Sequence, residues 1–166
     1  GKTKEFHDES SKINPEYEYA KIKSEAEEIY FKRNIRIKKN CSIVLRVGNV
    51  YGAGMKRGLV RNMIDAFKYD KPLKVPELSK TRTFIHLDDL CDAIIILIRN
   101  IEQSEHDVYN LANEVLSLGQ IISIFEDKAL VRLKVEKADV DDADYVNIAS
   151  ARFRQDFGFD TYIRFN

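Results

Sequence analysis

Apolar residues along this chain follow two spacings, and the two alternate. Residues 16–33 read as a helix, with Tyr19, Ile22, Ala26, Ile29 and Tyr30 near one face and Glu or Lys over most of the rest. Residues 32–40 are basic and polar, as expected of a solvated connection. Ser42 to Val47 is a short β-branched run that fits a buried parallel strand. A glycine-rich loop, Tyr51 to Gly58, leads to Leu59–Lys68, where Val60, Met63, Ile64 and Phe67 recur at helical spacing. Pro72 ends that element, and Leu73-Lys74-Val75 alternates as a short strand. Thr83 to Ile85 reads as a further strand. Leu90 to Ile101 reads as a strongly apolar helix, with Asp88 or Asp89 as its expected N-cap. Val108 to Leu111 is a strand, and Ser117 to Asp127 a helix with Leu118, Ile121, Ile122 and Phe125 inward. Leu130 to Val135 alternates as a strand, and Ser150 to Phe157 is a last helix ended by Gly158. Strands alternating with helices predict an α/β protein.

Composition narrows the function classes. The 166 residues suffice for one domain with a core of its own. Basic and acidic residues balance at 27 each, so no net basic field attracts nucleic acid or an anionic membrane surface. Cys41 and Cys91 make neither a zinc pattern nor a disulfide framework, which points to a reducing cytoplasm. No signal peptide is recognisable, and the most apolar run, Ala93 to Ile98, is too short to span a bilayer.

The densest chemical signal lies at Asn14-Pro15-Glu16-Tyr17-Glu18-Tyr19-Ala20-Lys21-Ile22-Lys23. It places a tyrosine and a lysine one helical turn apart on one face. An ammonium beside a phenol favours the phenolate, which makes the pair a candidate acid/base device. Taken alone, the spacing equally describes an exposed Tyr/Lys face. Two pairs satisfy it, Tyr17 with Lys21 and Tyr19 with Lys23. The second is favoured, because small Ala20 follows Tyr19, whereas the charge of Glu18 beside Tyr17 opposes a phenolate.

Four segments in order resemble the extended short-chain dehydrogenase/reductases, the NAD-dependent nucleotide-sugar epimerases and dehydratases. They are the tyrosine helix with its Ala26-Glu27, Leu45-Arg46-Val47-Gly48-Asn49-Val50-Tyr51-Gly52, Arg82-Thr83-Phe84-Ile85-His86-Leu87-Asp88-Asp89-Leu90, and Val108-Tyr109-Asn110-Leu111-Ala112. The resemblance implies the C-terminal part of a Rossmann-like doubly wound parallel sheet plus a small α/β substrate-binding domain. Residues 1–50 would belong to the cofactor domain and 51–166 mostly to the substrate domain, with segments near 81–112 returning to the Rossmann sheet. Tyr19 and Lys23 would be catalytic and would also touch NAD or NADP. Asn49 and Arg82 would hold the diphosphate of a nucleotide sugar. Read without the resemblance, Asn49 is a turn residue and Arg82 a surface arginine. Arg46, ending a buried strand, is expected to pair with a carboxylate, and His86 to be structural. Asp88 and Asp89 suggest helix capping ahead of metal ligation, and no metal site is expected. The resemblance further implies a homodimer through the Tyr19 helix.

Two features depart from the family. Pro76-Glu77-Leu78-Ser79-Lys80-Thr81 stands where a Gly-x-Gly is common, and Lys137 is the sole candidate for a late arginine, with Asp141, Asp142 and Asp144 following. The family's glycine-rich phosphate turn and its Ser/Thr beside the tyrosine have no match here, so the chain is expected to be a C-terminal portion, inactive by itself and with an incomplete cofactor site. Epimerase, dehydratase and 4-keto-sugar reductase all remain open. The rival reading is a non-catalytic relative that binds a partner or nucleotide without turnover.

Overall fold

The structure, a computed structural model, describes residues 6–34, 43–139 and 145–165. Most of the basic connection, Cys41, Ser42, Asp141, Asp142 and Asp144 lie outside them. The elements run α1 (Glu18–Asn34), β1 (Val44–Val47), β2 (Asn49–Tyr51), α2 (Leu59–Lys68), β3 (Leu73–Val75), β4 (Thr81–His86) and α3 (Leu87–Arg99). A 3-10 turn (Ile101–Gln103) then precedes β5 (Val108–Leu111), β6 (Glu114–Ser117), α4 (Leu118–Ala129), β7 (Val135–Lys137), β8 (Tyr145–Val146) and α5 (Ala151–Phe157).

Pairing is largely parallel. β1 lies along β5 with Val44 opposite Val108, β2 along β4 with Asn49 opposite Phe84, and β3 along β7. β4 also pairs with antiparallel β6 and parallel β8. The chain passes from the β1–β5 pair to the sheet around β4 through Gly48, whose N–H donates to the Leu111 carbonyl at 3.0 Å. A Cβ there would lie 2.9 Å from the Thr83 carbonyl oxygen, so only glycine fits the crossing.

Two apolar cores flank β4, because neighbouring residues of a strand point to opposite faces. Phe84 packs with Met63, Leu73, Val75, Leu118 and Ile121. Ile85 packs with Ala93, Leu97, Tyr109, Leu111 and Phe153. Ser117 caps α4 in a full capping box, its Oγ accepting from Gln120 N–H while the Gln120 side chain accepts from Ser117 N–H.

Several expectations need correction. α3 begins at Leu87 rather than Leu90, and its cap is His86, whose Nδ1 accepts from the Asp88 N–H at 3.2 Å. Asp89 is buried and accepts instead from the backbone N–H groups of Tyr162 and Ile163, tying the segment after α5 to α3. The strand expected over 83–85 extends to 81–86. The one expected over 130–135 starts only at Val135, because Leu130 ends α4 in the left-handed region and Glu126 Oε1 accepts the Leu133 N–H. β2, β6 and β8 were not expected, and Tyr51, expected to open the glycine-rich loop, ends β2. Tyr19, Ile22 and Ile29 of α1 are exposed, so the apolar face of this helix is not packed against the described chain.

Candidate active site

α1 starts where the Tyr17 carbonyl accepts the Lys21 N–H at 2.9 Å, so Tyr17 precedes the helix and Tyr19 and Lys23 lie one turn apart on it. Lys23 Nζ stands over the Tyr19 ring, 5.7 Å from its centroid. Tyr19 is 73% exposed. With Ala20, Arg46 and Asn110 the pair lines a groove of ≈ 440 Å³. Tyr17 and Lys21 are not among its described lining residues.

Charged side chains from three elements anchor the groove. Arg46 on β1 forks onto Glu27 of α1, with Nε to Oε2 at 3.2 Å and Nη2 on Oε1. Its Nη1 also donates to the Glu9 carbonyl at 3.3 Å. The carboxylate expected for Arg46 is therefore Glu27, one turn beyond Lys23. Glu9 turns its own carboxylate inward, where it accepts the Asn110 N–H at 2.7 Å and faces Arg152 Nε at 3.7 Å.

Asn49 and Arg82 meet in a different place. Both line a cavity of ≈ 270 Å³ between β2, β3, β4 and the start of α2. Arg82 is 8% exposed, and its Nη1 donates to the Thr81 carbonyl at 2.8 Å. Asn49 Nδ2 donates to the Thr83 carbonyl at 3.2 Å. Arg57, Arg61 and Lys74 line the same cavity, and no Asp or Glu is among its described lining residues. Arg61 is matched by Asp65 on its own helix, with Nε to Oδ2 at 2.9 Å. The cavity is consequently a cationic concavity suited to a polyanion.

Tyr51 also lines this cavity. Burial, then the charges of Glu114 and Asp89, push its phenol up to about 12, with Arg164 opposing, so it stays protonated near neutrality. Sequence reasoning missed Arg57, Arg61 and Lys74. Lys74 was within reach, since the alternation that buries Leu73 and Val75 turns it to the other face.

Residues 1–112 match the NAD dependent epimerase/dehydratase family, more than half of the chain. The chain belongs to this family. No curated protein matches it. As an epimerase/dehydratase-family chain it is similar in structure to dTDP-glucose 4,6-dehydratase from Bacillus anthracis in complex with NAD. The TM-score is 0.85 at 20% identity, over 99% of this chain and 53% of that one. UDP-glucuronic acid 4-epimerase from Bacillus cereus, in complex with UDP-glucuronic acid and NAD, gives 0.85 at 17% identity, over 99% and 54%. RMD from Pseudomonas aeruginosa, complexed with NADPH, gives 0.76 at 22%, over 96% and 56%. These likenesses show a Rossmann-like α/β fold, and the chain spans about half the length of each structure. No described helix is long and apolar enough to cross a membrane, and the described residues hold no group of three or more His, Cys, Asp or Glu that could hold a metal ion.

Proposed function

We propose that the protein carrying this chain is an NAD(P)-dependent nucleotide-sugar epimerase or dehydratase. In this reading Tyr19 and Lys23 are its acid/base pair, and Asn49 and Arg82 grip the substrate diphosphate. The observation that carries the reading is the pairing of two features. A phenol and an ammonium stand together on one groove, and Asn49 and Arg82 line a cationic cavity with no Asp or Glu among its described lining residues. The first suits proton transfer at a hydroxyl, and the second suits a diphosphate, whose oxygens match a guanidinium fork. The ligands of the solved relatives, UDP-glucuronic acid with NAD in one and NADPH in another, support the same class.

The residues present fit the nicotinamide-ribose end of a dinucleotide, because Lys23 offers three N–H donors and Tyr19 a hydroxyl to ribose oxygens. NAD(P), when bound, takes and returns the hydride. Tyr19 removes the proton of a ring hydroxyl as that carbon is oxidised and returns it on reduction, with the Lys23 ammonium over its ring. Residues 1–50 then belong to the cofactor domain and 51–166 mostly to the substrate domain, with segments near 81–112 in the cofactor sheet. The exposed Ile22 and Ile29 support a homodimer through α1. The two cysteines, in no framework pattern, support a cytoplasmic setting.

The test is steady-state kinetics of the protein with UDP, dTDP, GDP and CDP sugars. Tyr19→Phe should lower kcat by at least ~10²-fold, the low end for a lost general acid/base, with bound cofactor retained. Tyr17→Phe should be mild, and Arg82→Ala should raise KM about tenfold to a hundredfold with little change in kcat. Full turnover in Tyr19→Phe sinks the reading.

A further inference from the structure

We infer that Asn147 is a positioning residue: its side chain ties the Tyr19 groove to the Arg82 cavity and so keeps the reacting carbon of a nucleotide sugar in register with the phenol. This role rests on the nucleotide-sugar reading above and adds to it what fixes the two half-sites relative to each other.

A sugar nucleotide gripped by its diphosphate presents its ring to the acid/base pair only if groove and cavity keep one spacing. The two are built on different sheets. Arg46 and Asn110 of the groove lie on the β1–β5 pair, whereas Asn49 and Arg82 of the cavity lie on β2 and β4. Residues 145–150 run between them. β8 lies parallel to β4, with Val146 opposite Arg82. Asn147 follows it, is 4% exposed and bonds in both directions. Its Oδ1 accepts the Thr81 hydroxyl at 3.0 Å on the cavity side, and its carbonyl accepts the His7 N–H at 2.9 Å on the groove side. The Ile148 N–H donates to Thr83 Oγ1 at 3.0 Å, and the Ala149 N–H to the His7 carbonyl at 3.0 Å. His7 and Ile148 both line the groove. The same two threonines receive the cavity's own side chains at their carbonyls, Thr81 from Arg82 and Thr83 from Asn49. Each threonine therefore holds a cavity residue by its carbonyl and the groove segment by its hydroxyl. Rate is sensitive to such a link, because a displacement of about 1 Å between reacting groups can cost about 10²-fold.

The test is steady-state kinetics of the NAD(P)-loaded protein carrying this chain, on whichever of the UDP, dTDP, GDP and CDP sugars it turns over. Inhibition by the corresponding nucleoside diphosphate, which needs the cavity alone, is measured beside it. Asn147→Ala cuts the bridge at Thr81 and leaves the backbone bond to His7 in place. Thr81→Val removes the same bond from the other side, and Thr81→Ser keeps it. The first two should lower kcat about tenfold, with bound cofactor retained. Their inhibition constants for the nucleoside diphosphate should stay within about twofold of the unaltered protein, since the contacts to that group are the same in ground and transition states. Thr81→Ser should keep its turnover. Asn147→Ala combined with Thr81→Val should be no slower than either alone, because both remove one bond. If Asn147→Ala does not fold, Thr81→Val, nearly isosteric with the natural side chain, carries the comparison against Thr81→Ser. An unchanged kcat, a loss of nucleoside diphosphate binding as large as the loss of kcat, a Thr81→Ser as slow as Thr81→Val, or additive losses in the double variant each overturn the positioning role. All of these leave the effect of Tyr19→Phe untouched. Failure of the unaltered protein to turn over any sugar nucleotide removes the functional reading and this role with it.

Discussion

The Arg46–Glu27 fork should be the main tie between α1 and the rest of the chain, and Glu27→Gln tests it. Tyr19, Ile22 and Ile29 are exposed, so hydrophobic packing contributes little along that face. Arg46 and Glu27 side chains are 24% and 14% exposed, and Arg46 donates to two carboxylate oxygens and one carbonyl. A fully exposed pair is worth about 0–1 kcal/mol, while breaking a fully buried one costs about 3–5 kcal/mol. This pair is mostly buried and bidentate, which places the cost of Glu27→Gln at about 1.5–3 kcal/mol. For a chain of this length that corresponds to a fall in Tm of roughly 3–12 °C. The chain has no Trp, so urea unfolding is best followed by far-UV circular dichroism. Arg46→Met combined with Glu27→Leu should recover most of the loss, since apolar partners leave no uncompensated charge. Glu28→Gln, which removes the exposed Lys32–Glu28 pair, should leave the midpoint unchanged. If Glu27→Gln shifts stability by less than ~0.5 kcal/mol, the fork belongs with ordinary surface pairs and α1 is held by something else.

Three further outcomes follow from the geometry. Gly52→Ala should cost about 1–3 kcal/mol in urea unfolding, because Gly52 has φ +148° and a Cβ there would lie 2.9 Å from Leu87 Cβ; an unchanged midpoint would contradict this. Leu130, 91% exposed with φ 55°, ends α4 in a conformation that suits glycine, so Leu130→Gly should raise stability by about 0.5–1 kcal/mol. The Tyr51 phenol is raised to about 12 by burial first, then by Glu114 and Asp89. A raised folded-state value means that its contribution to stability is whole below about 10, the unfolded value, and is lost as pH rises through about 12. Tyr51→Phe should flatten the alkaline loss in a series of denaturation midpoints, and an unaltered pH slope would count against that assignment.

Helices were legible where local chemistry names its own ends. α2 keeps its expected bounds, and α4 follows directly from Ser117 and Gln120. α3 started earlier than expected because an imidazole nitrogen does the work usually given to Ser, Thr, Asp or Asn. β6 escaped notice because its four residues are all half-buried, which leaves no alternation to read. The stretch from Leu130 looked like a strand by pattern, yet a single left-handed residue and the Glu126 side chain take over its first half. The β-branched run of β1 suggests a buried parallel strand, but its choice of β5 as partner leaves no local trace, since the two are far apart in sequence.

For the site, the Tyr19–Lys23 spacing could be read directly, but the means of holding it could not. The motifs at Tyr19–Glu27 and Leu45–Gly52 look independent along the chain, whereas Glu27 of the first is gripped by Arg46 of the second. Asn49, Arg82 and Lys74 reach one cavity only because β2, β3 and β4 are brought together beside α2. Asn110 and Glu9 meet across β5 and the loop before α1, and no local pattern foretells that one amide oxygen there ends without a donor. Tyr19, Lys23 and Glu27 follow each other at one-turn intervals, so the Arg46 fork that ties down Glu27 also sets the rotation of α1 about its axis. That rotation decides whether the phenol and the ammonium face the groove or open water. Arg46, outside the pair itself, is therefore what orients the Tyr19 phenol and the Lys23 ammonium on the groove.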